Sequence, residues 1–311
     1  MTFFHALAGV ISLLLVVSLG YVLAKMNWFA PQCRALLPKL ITNVALPPFL
    51  ACTIISSFQR DSLTHMLYGT MLPALCMVIL FGMAFVAGKL IKVEKKHFGL
   101  FCACVSNPNT IFIGIPVNMA LFGPEALPYV LLYYFASTLF FWTVGNYFIA
   151  RDLGASPAQN QTATWQKIIS PPLLGFFAGI IIIYSEITLP GFLMDAARIT
   201  GEMTTPLALI FIGITLAGMD LGKIHFGKDI MAALAGRMII SPLLMAGLLP
   251  FFGLPVLMGK VFVIQSSLPV LMQVAILSAY YNTDPDYGSI MVSLSTLTCA
   301  ITIPVYMVLL G

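Results

Sequence analysis

The sequence predicts an all-α integral membrane protein of ten transmembrane helices, built as two inverted five-helix repeats. Three observations carry this reading. The 311 residues are 60% hydrophobic and 8% charged, with mean hydropathy +0.99, whereas a soluble domain carries about 25% charged residues. Apolar runs that match a span of about 20 residues recur along the whole chain. The fourth and ninth of these runs are each interrupted by proline and polar side chains, and breaks in corresponding runs are a mark of inverted-repeat carriers.

Taken in order, the spans are expected at residues 4–23, 37–57, 66–90, 98–122, 128–150, 168–184, 203–219, 230–252, 256–280 and 287–310. The first run has no basic residue before it and no small-residue cleavage pattern after it, so it reads as an uncleaved helix. The second carries Asn43 and Leu46-Pro47-Pro48, a local break that Asn43 is expected to support. The fourth contains Asn107-Pro108-Asn109-Thr110 and then Pro116. Proline cannot donate to a helix, and amides are costly in hydrocarbon unless something binds them. Such a break is tolerated only where the backbone is buried in protein or lines a cavity.

Residues 1–150 form the expected first repeat, 151–166 a polar linker and 167–311 the second repeat. Basic residues fall mainly on one side of this layout: Lys25, Arg34 and Lys39, then Lys89, Lys92, Lys95 and Lys96, then Arg151 and Lys167, then Lys223 and Lys228. Only Arg60, Arg198 and Lys260 fall on the other side, and Arg237 lies within the eighth span. The positive-inside rule then places the linker in the cytoplasm and both termini outside. The Asn160-Gln161-Thr162 sequon would face the cytoplasm and carry no sugar.

An offset of 159 positions lays Gly20 over Gly179, Pro47 over Pro206, and Asn107–Thr110 over Ser266-Ser267-Leu268-Pro269. The two interrupted runs therefore correspond. Gly20, Gly82, Gly88, Gly114, Gly145, Gly179 and Gly213 are expected to permit close helix packing. The six cysteines are scattered through apolar runs and read as small buried hydrophobes rather than metal ligands or disulfides.

Several stretches resemble the auxin efflux carrier family: Asn43-Val44-Ala45-Leu46-Pro47, Asn107 through Pro116, Pro206-Leu207-Ala208-Leu209 with Gly213, and the run from Ala275 to Pro304. The resemblance covers nearly the whole chain and points to the short bacterial members, including malonate and malate permeases. It implies a fold shared with bile-acid sodium symporters, in which spans four and nine cross near mid-membrane. It also implies a dimerising scaffold of spans 1, 2, 6 and 7 and a mobile transport domain of spans 3–5 and 8–10. The implied function is alternating-access transport of small organic anions, mostly carboxylates, across a plasma or bacterial inner membrane.

The expected binding residues are Asn107, Asn109 and Thr110 from the first break and Ser266, Ser267 and Gln273 from the second. Pro108, Pro116 and Pro269 would hold the breaks open. The half-helices beyond the breaks present amide N–H groups and positive dipole ends that suit a carboxylate. Asn107 and Asn109 either meet the substrate or satisfy backbone groups freed by the break. Arg237 either pairs with a substrate carboxylate, snorkels, or holds a neighbouring carbonyl. Asn146 either lines the site or caps a helix contact. Asp284-Pro285-Asp286 reads as a helix cap.

No Asp or Glu falls deep within an expected span, which argues against a proton relay through acids. Sodium coupling through oxygens at the breaks and simple uniport both stay open. No cofactor and no nucleic-acid partner is expected. An enzyme finds no support: the chain has no HExxH, no GxSxG and no clustering of His5, His65, His97 and His225. A channel and a sodium-coupled bile-acid-type symporter are the alternatives.

Overall fold

The computed structural model describes residues 3–30, 33–57, 68–152, 171–218, 227–281 and 283–310. Within them the chain is helical, and an isolated antiparallel bridge between Pro108 and Val270 is its one extended pairing. Thirteen helices follow in order. They are α1 (Phe3–Lys25), α2 (33–57), α3 (Met71–Leu90), α4 (Phe98–Ser106), α5 (Gly114–Phe122), α6 (127–151), α7 (Pro171–Tyr184), α8 (Gly191–Glu202), α9 (Thr204–Ala217), α10 (228–248), α11 (Val256–Ser266), α12 (Gln273–Tyr280) and α13 (Pro285–Leu310). Five helical stretches are long and apolar enough to cross a membrane, and α7, α11 and the second part of α1 are shorter apolar helices. Large apolar side chains such as Leu15, Val78, Val86, Ile181, Leu243 and Ile301 are exposed on these helices, as lipid contact requires and water would not tolerate. Most of residues 151–166, with the sequon, lies outside the described residues.

The helices form two compact units. The first contains residues 1–68, 115–131 and 169–219, and the second contains 69–114, 132–168 and 220–311.

The first unit is held by backbone-to-backbone approach. α1 packs along α9, and α7 and α8 pack on α2. A Cβ at Gly213 would overlap the Val17 carbonyl and lie 2.6 Å from the Tyr21 nitrogen, and one at Gly20 would lie 2.9 Å from Ile210 Cα. A Cβ at Gly175 would lie 2.6 Å from Pro47 Cα, and one at Gly179 would lie 2.9 Å from Ile54 Cβ. Gly20 and Gly179, aligned by the 159-residue offset, thus both sit where two helices touch. The aligned prolines do not match in this way. Pro206 lies in the first turn of α9, where a missing N–H costs nothing. Pro47 lies inside α2, whose expected break is instead a π-turn at Ile41–Ala45. Leu46 N–H reaches back to the Ile41 carbonyl, so the helix absorbs Pro47 and Pro48 without parting.

Two further expectations change. Gly82 fronts open space, with nothing within 4 Å of a Cβ placed on it, so it packs against no other described helix of this chain. The stretch expected as a loop before the seventh span contains α8. Its charged residues Asp195, Arg198 and Glu202 recur at helical spacing, and Arg198 bonds Asp195 at 3.0 Å. A search for apolar runs passes over such a helix.

The second unit packs α3 and α6 against α4, α10 against α3 and α11, and α13 against α12. Two of its helices also contain π-turns, at Phe141–Gly145 in α6 and Gly236–Ile240 in α10. The second precedes Pro242, which cannot donate to the Met238 carbonyl four residues back. Tyr306 of α13 supplies the missing donor, its hydroxyl 2.6 Å from Met238 O.

Candidate functional site

The site is built where two helices stop. α4 ends at Ser106 and α5 begins at Gly114; α11 ends at Ser266 and α12 begins at Gln273. The two stops are 160 positions apart and the two starts 159, so the offset read from the sequence also aligns these ends. Both interruptions are extended, and they cross as a two-rung antiparallel bridge. Asn109 N–H donates to Pro269 O at 2.8 Å, and Leu271 N–H donates to Asn107 O at 3.0 Å.

The prolines sit where this bridge can do without their N–H groups. At the Pro108–Val270 pair the N–H positions point away from the partner strand, so Pro108 removes no rung. Val270 N–H points away likewise, and Ser295 of α13 accepts it at 3.0 Å. Pro269 leaves Asn109 O without a donor across the bridge, and Gly114 N–H takes that carbonyl at 3.2 Å. Pro116 lies in the first turn of α5, where no helical donor is lost.

Asn107, Asn109, Thr110, Ser266 and Ser267 are all 0–1% exposed and meet at the crossing. Their side chains are partly committed to the backbone. Asn109 Oδ1 accepts from Phe112 N–H at 3.3 Å. Asn107 Nδ2 donates to Ser106 Oγ and Ala103 O, while its Oδ1 is buried without a partner. Ser266 and Ser267 donate their hydroxyls to Val263 O and Ile264 O, which leaves their oxygens as acceptors. Gln273 Oε1 is buried without a partner at the start of α12. Asn146 lies at the end of the π-turn in α6, and its Oδ1 accepts from Tyr281 OH at 2.9 Å. It therefore ties α6 to the chain just after α12.

Arg237 is fully buried, which excludes snorkelling. Nη1 donates to Val105 O at 2.9 Å, and Nη2 donates to Ser266 O and Ser241 Oγ. Nε is buried without a partner. Among the described residues no carboxylate pairs with it.

Sequence reasoning missed three contributors. Gln265 is one polar residue in an apolar run, and its Nε2 reaches Thr110 O at 3.5 Å with Oε1 left unpartnered. The 159-residue offset lays it over Ser106, which was the available signal. Ser241 and Ser295 are serines inside helices, where a hydroxyl ordinarily bonds its own helix.

A second polar cluster lies in the same unit. His97 Nδ1 is 3.0 Å from Asp284 Oδ2, and Nε2 is 3.1 Å from Asp229 but poorly aligned for a hydrogen bond. The ring stacks on Tyr287 at 4.3 Å. Asp284 caps α13 by accepting from Tyr287 N–H at 3.1 Å, as the sequence led one to expect. Burial raises its carboxyl, but the Tyr287 amide, His97 and Lys96 outweigh burial and hold it below its ordinary value.

A family profile described as membrane transport protein matches residues 5–307. The chain belongs to this family, the auxin efflux carrier family. It is 27% identical over 323 residues to an uncharacterized transporter of Methanothermobacter thermautotrophicus, covering all of both chains. It is also 22% identical over 285 residues to an uncharacterized transporter of Methanocaldococcus jannaschii, covering 88% of this chain and 89% of the other. Membership of the auxin efflux carrier family and the apolar helices make the chain a multi-pass membrane protein of a transporter family.

Proposed function

We propose that the chain is a secondary carrier of small organic anions, carboxylates of the size of malonate or malate, working by an elevator-type alternating access. The observation that carries the anion preference is Arg237, a buried guanidinium without a carboxylate partner where the two interrupted helices meet. An unneutralised buried cation lowers the cost of bringing an anion into a low-dielectric site and raises the cost for a second cation. The half-helices beginning at Gly114 and Gln273 add positive dipole ends, although the N–H groups of Gly114, Val274, Ala275 and Ile276 are already bonded to backbone carbonyls. Asn107, Asn109, Thr110 and Gln273 would orient the carboxylate. The elevator reading is supported by the division of the chain, since both extended interruptions, α4, α11, α12 and Arg237 lie within one compact unit, while α5 beyond Gly114 is counted with the other. In this reading ten spans in two inverted repeats cross a plasma or bacterial inner membrane, both termini are outside, spans 1, 2, 6 and 7 form a homodimeric scaffold, and spans 3–5 and 8–10 form the moving domain.

Counterflow in proteoliposomes tests the proposal. Liposomes loaded with unlabelled malonate or malate should accumulate the labelled acid transiently, and a neutral analogue should not compete. Asn109→Ala should weaken the apparent affinity. Unchanged affinity in that variant counts against direct contact, and an absence of counterflow with any mono- or dicarboxylate overturns the substrate class.

A further inference from the structure

The contacts of Arg237 carry a second conclusion. α4 and α11 both end at the crossing, and the last carbonyls of a helix have no intrahelical partner and carry the negative end of its dipole. Val105 O and Ser266 O are such carbonyls, and Ser241 Oγ joins them, 2.9 Å from Ser266 O. Two carbonyls and a hydroxyl converging at the ends of broken helices are the oxygen ligands that sodium-coupled carriers offer their ion. Here all three are taken by one guanidinium, through Nη1 and Nη2.

We propose that Arg237 is a tethered substitute for a coupling cation: it holds the ends of α4 and α11 together and supplies the charge, so that the carrier binds its anion without sodium. A bound ion can be released on one side of the membrane and reloaded on the other. A guanidinium cannot, and it stays with the helices it joins in every state. No ion gradient then enters the cycle at this position, and the energy comes from the anion's own gradient and the membrane potential, about 2.3 kcal/mol per charge per 100 mV. Arg237 is in this account a positioning residue. The inference rests on the carrier reading but not on which anion is carried.

Melting of the purified full-length protein in sodium, potassium and choline chloride at equal ionic strength gives the test, since a ligand that binds only the folded state raises the melting point. The wild type should melt at the same temperature in all three salts. Arg237→Ala should melt lower in choline and regain stability saturably with sodium or potassium, which then reach the vacated oxygens. Arg237→Lys should remain indifferent to the salt. If the alanine variant cannot be purified, Arg237→Gln, which keeps an amide donor without the charge, should show the same regain. A saturable sodium stabilisation of the wild type overturns the proposal. So does an alanine or glutamine variant that folds and ignores every small cation. Absence of counterflow with every carboxylate, alongside a sodium-indifferent wild type and a cation-dependent regain in the alanine variant, would overturn the substrate class and leave the tethered cation standing.

Discussion

The two units bury different chemistry. Glycines bring backbones together in both, Gly213 and Gly20 in the first and Gly99 against Phe148 in the second, but the buried polar side chains of the first among the described residues are only Thr53, Asn118 and Thr204. In the second lie all the other buried polar and charged residues among the described ones: those of the two interruptions, Arg237, Gln265 and the serines around them. Lipid offers no hydrophobic drive between apolar helices, so a part that must stay assembled needs close van der Waals contact. A part that must handle a charged solute needs fixed dipoles, and accepts buried polar groups that packing alone would exclude. The first unit reads as a frame and the second as a site. Substitutions that exchange these properties test the contrast.

The largest effect is expected in the frame. Gly213→Val places atoms on the Val17 carbonyl and the Tyr21 nitrogen, both backbone, which cannot rotate away. Overpacking in a fitted interface costs about 1–3 kcal/mol and more where the backbone must shift. The variant should lose its cooperative melting transition, or melt far below the wild type, when followed by fluorescence-detected size exclusion. A variant with wild-type melting would show that α1 and α9 are not held by this contact.

How much of this was legible in the sequence differs between the units for the same reason. The breaks at the crossing were legible because two prolines and two amides fall together in one apolar run and a polar, proline-interrupted stretch answers them in the other half, whereas Asn43 with Pro47 and Pro48 suggested a break that the helix absorbs. Their correspondence was legible as one offset shared by Asn107–Thr110 and Ser266–Pro269. Their pairing was not, since which extended strand meets which depends on contacts between residues more than 150 apart. Gln265 and Ser295 were hidden because one polar residue in a helix looks like local back-bonding until its partner is placed. The π-turns were invisible: a helix that absorbs Pro47 or Pro242 and one that parts at it share the same local sequence. α8 was passed over because its apolar content is too low for a span, although its charges keep helical spacing.

In the site, the next effect comes from Ser295→Ala. Ser295 Oγ accepts the Val270 N–H, which has no other acceptor because its side of the bridge faces α13. An unmet buried donor costs about 1–3 kcal/mol. The melting point should fall, with counterflow falling further, because the loss is confined to the crossing. Equal losses in a variant of the frame and in this one would erase the distinction between frame and site.

A smaller and pH-dependent effect comes from the start of α4. Asp152 accepts from Gly99 N–H at 2.7 Å and from Leu100 N–H at 3.2 Å, capping the helix that leads to the crossing. Burial raises its carboxyl from 3.8 to about 6, against the pull of those amides. A carboxyl whose folded value lies above its unfolded one binds more protons when folded. Its contribution is therefore full below about pH 4 and is lost as pH rises through about 6. Asp152→Asn should keep a cap, cost about 0.5–1 kcal/mol or less, and flatten the wild type's decline in melting point between these values. A decline unchanged in the variant would assign it to another group.

The smallest effect returns to glycine. Gly82 lies in the middle of α3 in the second unit, exposed, with open space where a Cβ would stand. It does nothing that Gly20 or Gly213 does. Gly82→Ala removes only backbone freedom, and a helix interior gains about 0.5–1 kcal/mol from that exchange. The melting point should rise slightly and counterflow should hold. The same exchange at Gly213 should lower the melting point, because there the added methyl meets backbone. Opposite signs for one chemical change would separate a glycine held by backbone contact from one that fronts open space. A fall at Gly82 would mean that α3 needs its glycine for a contact with lipid or with another copy of the chain.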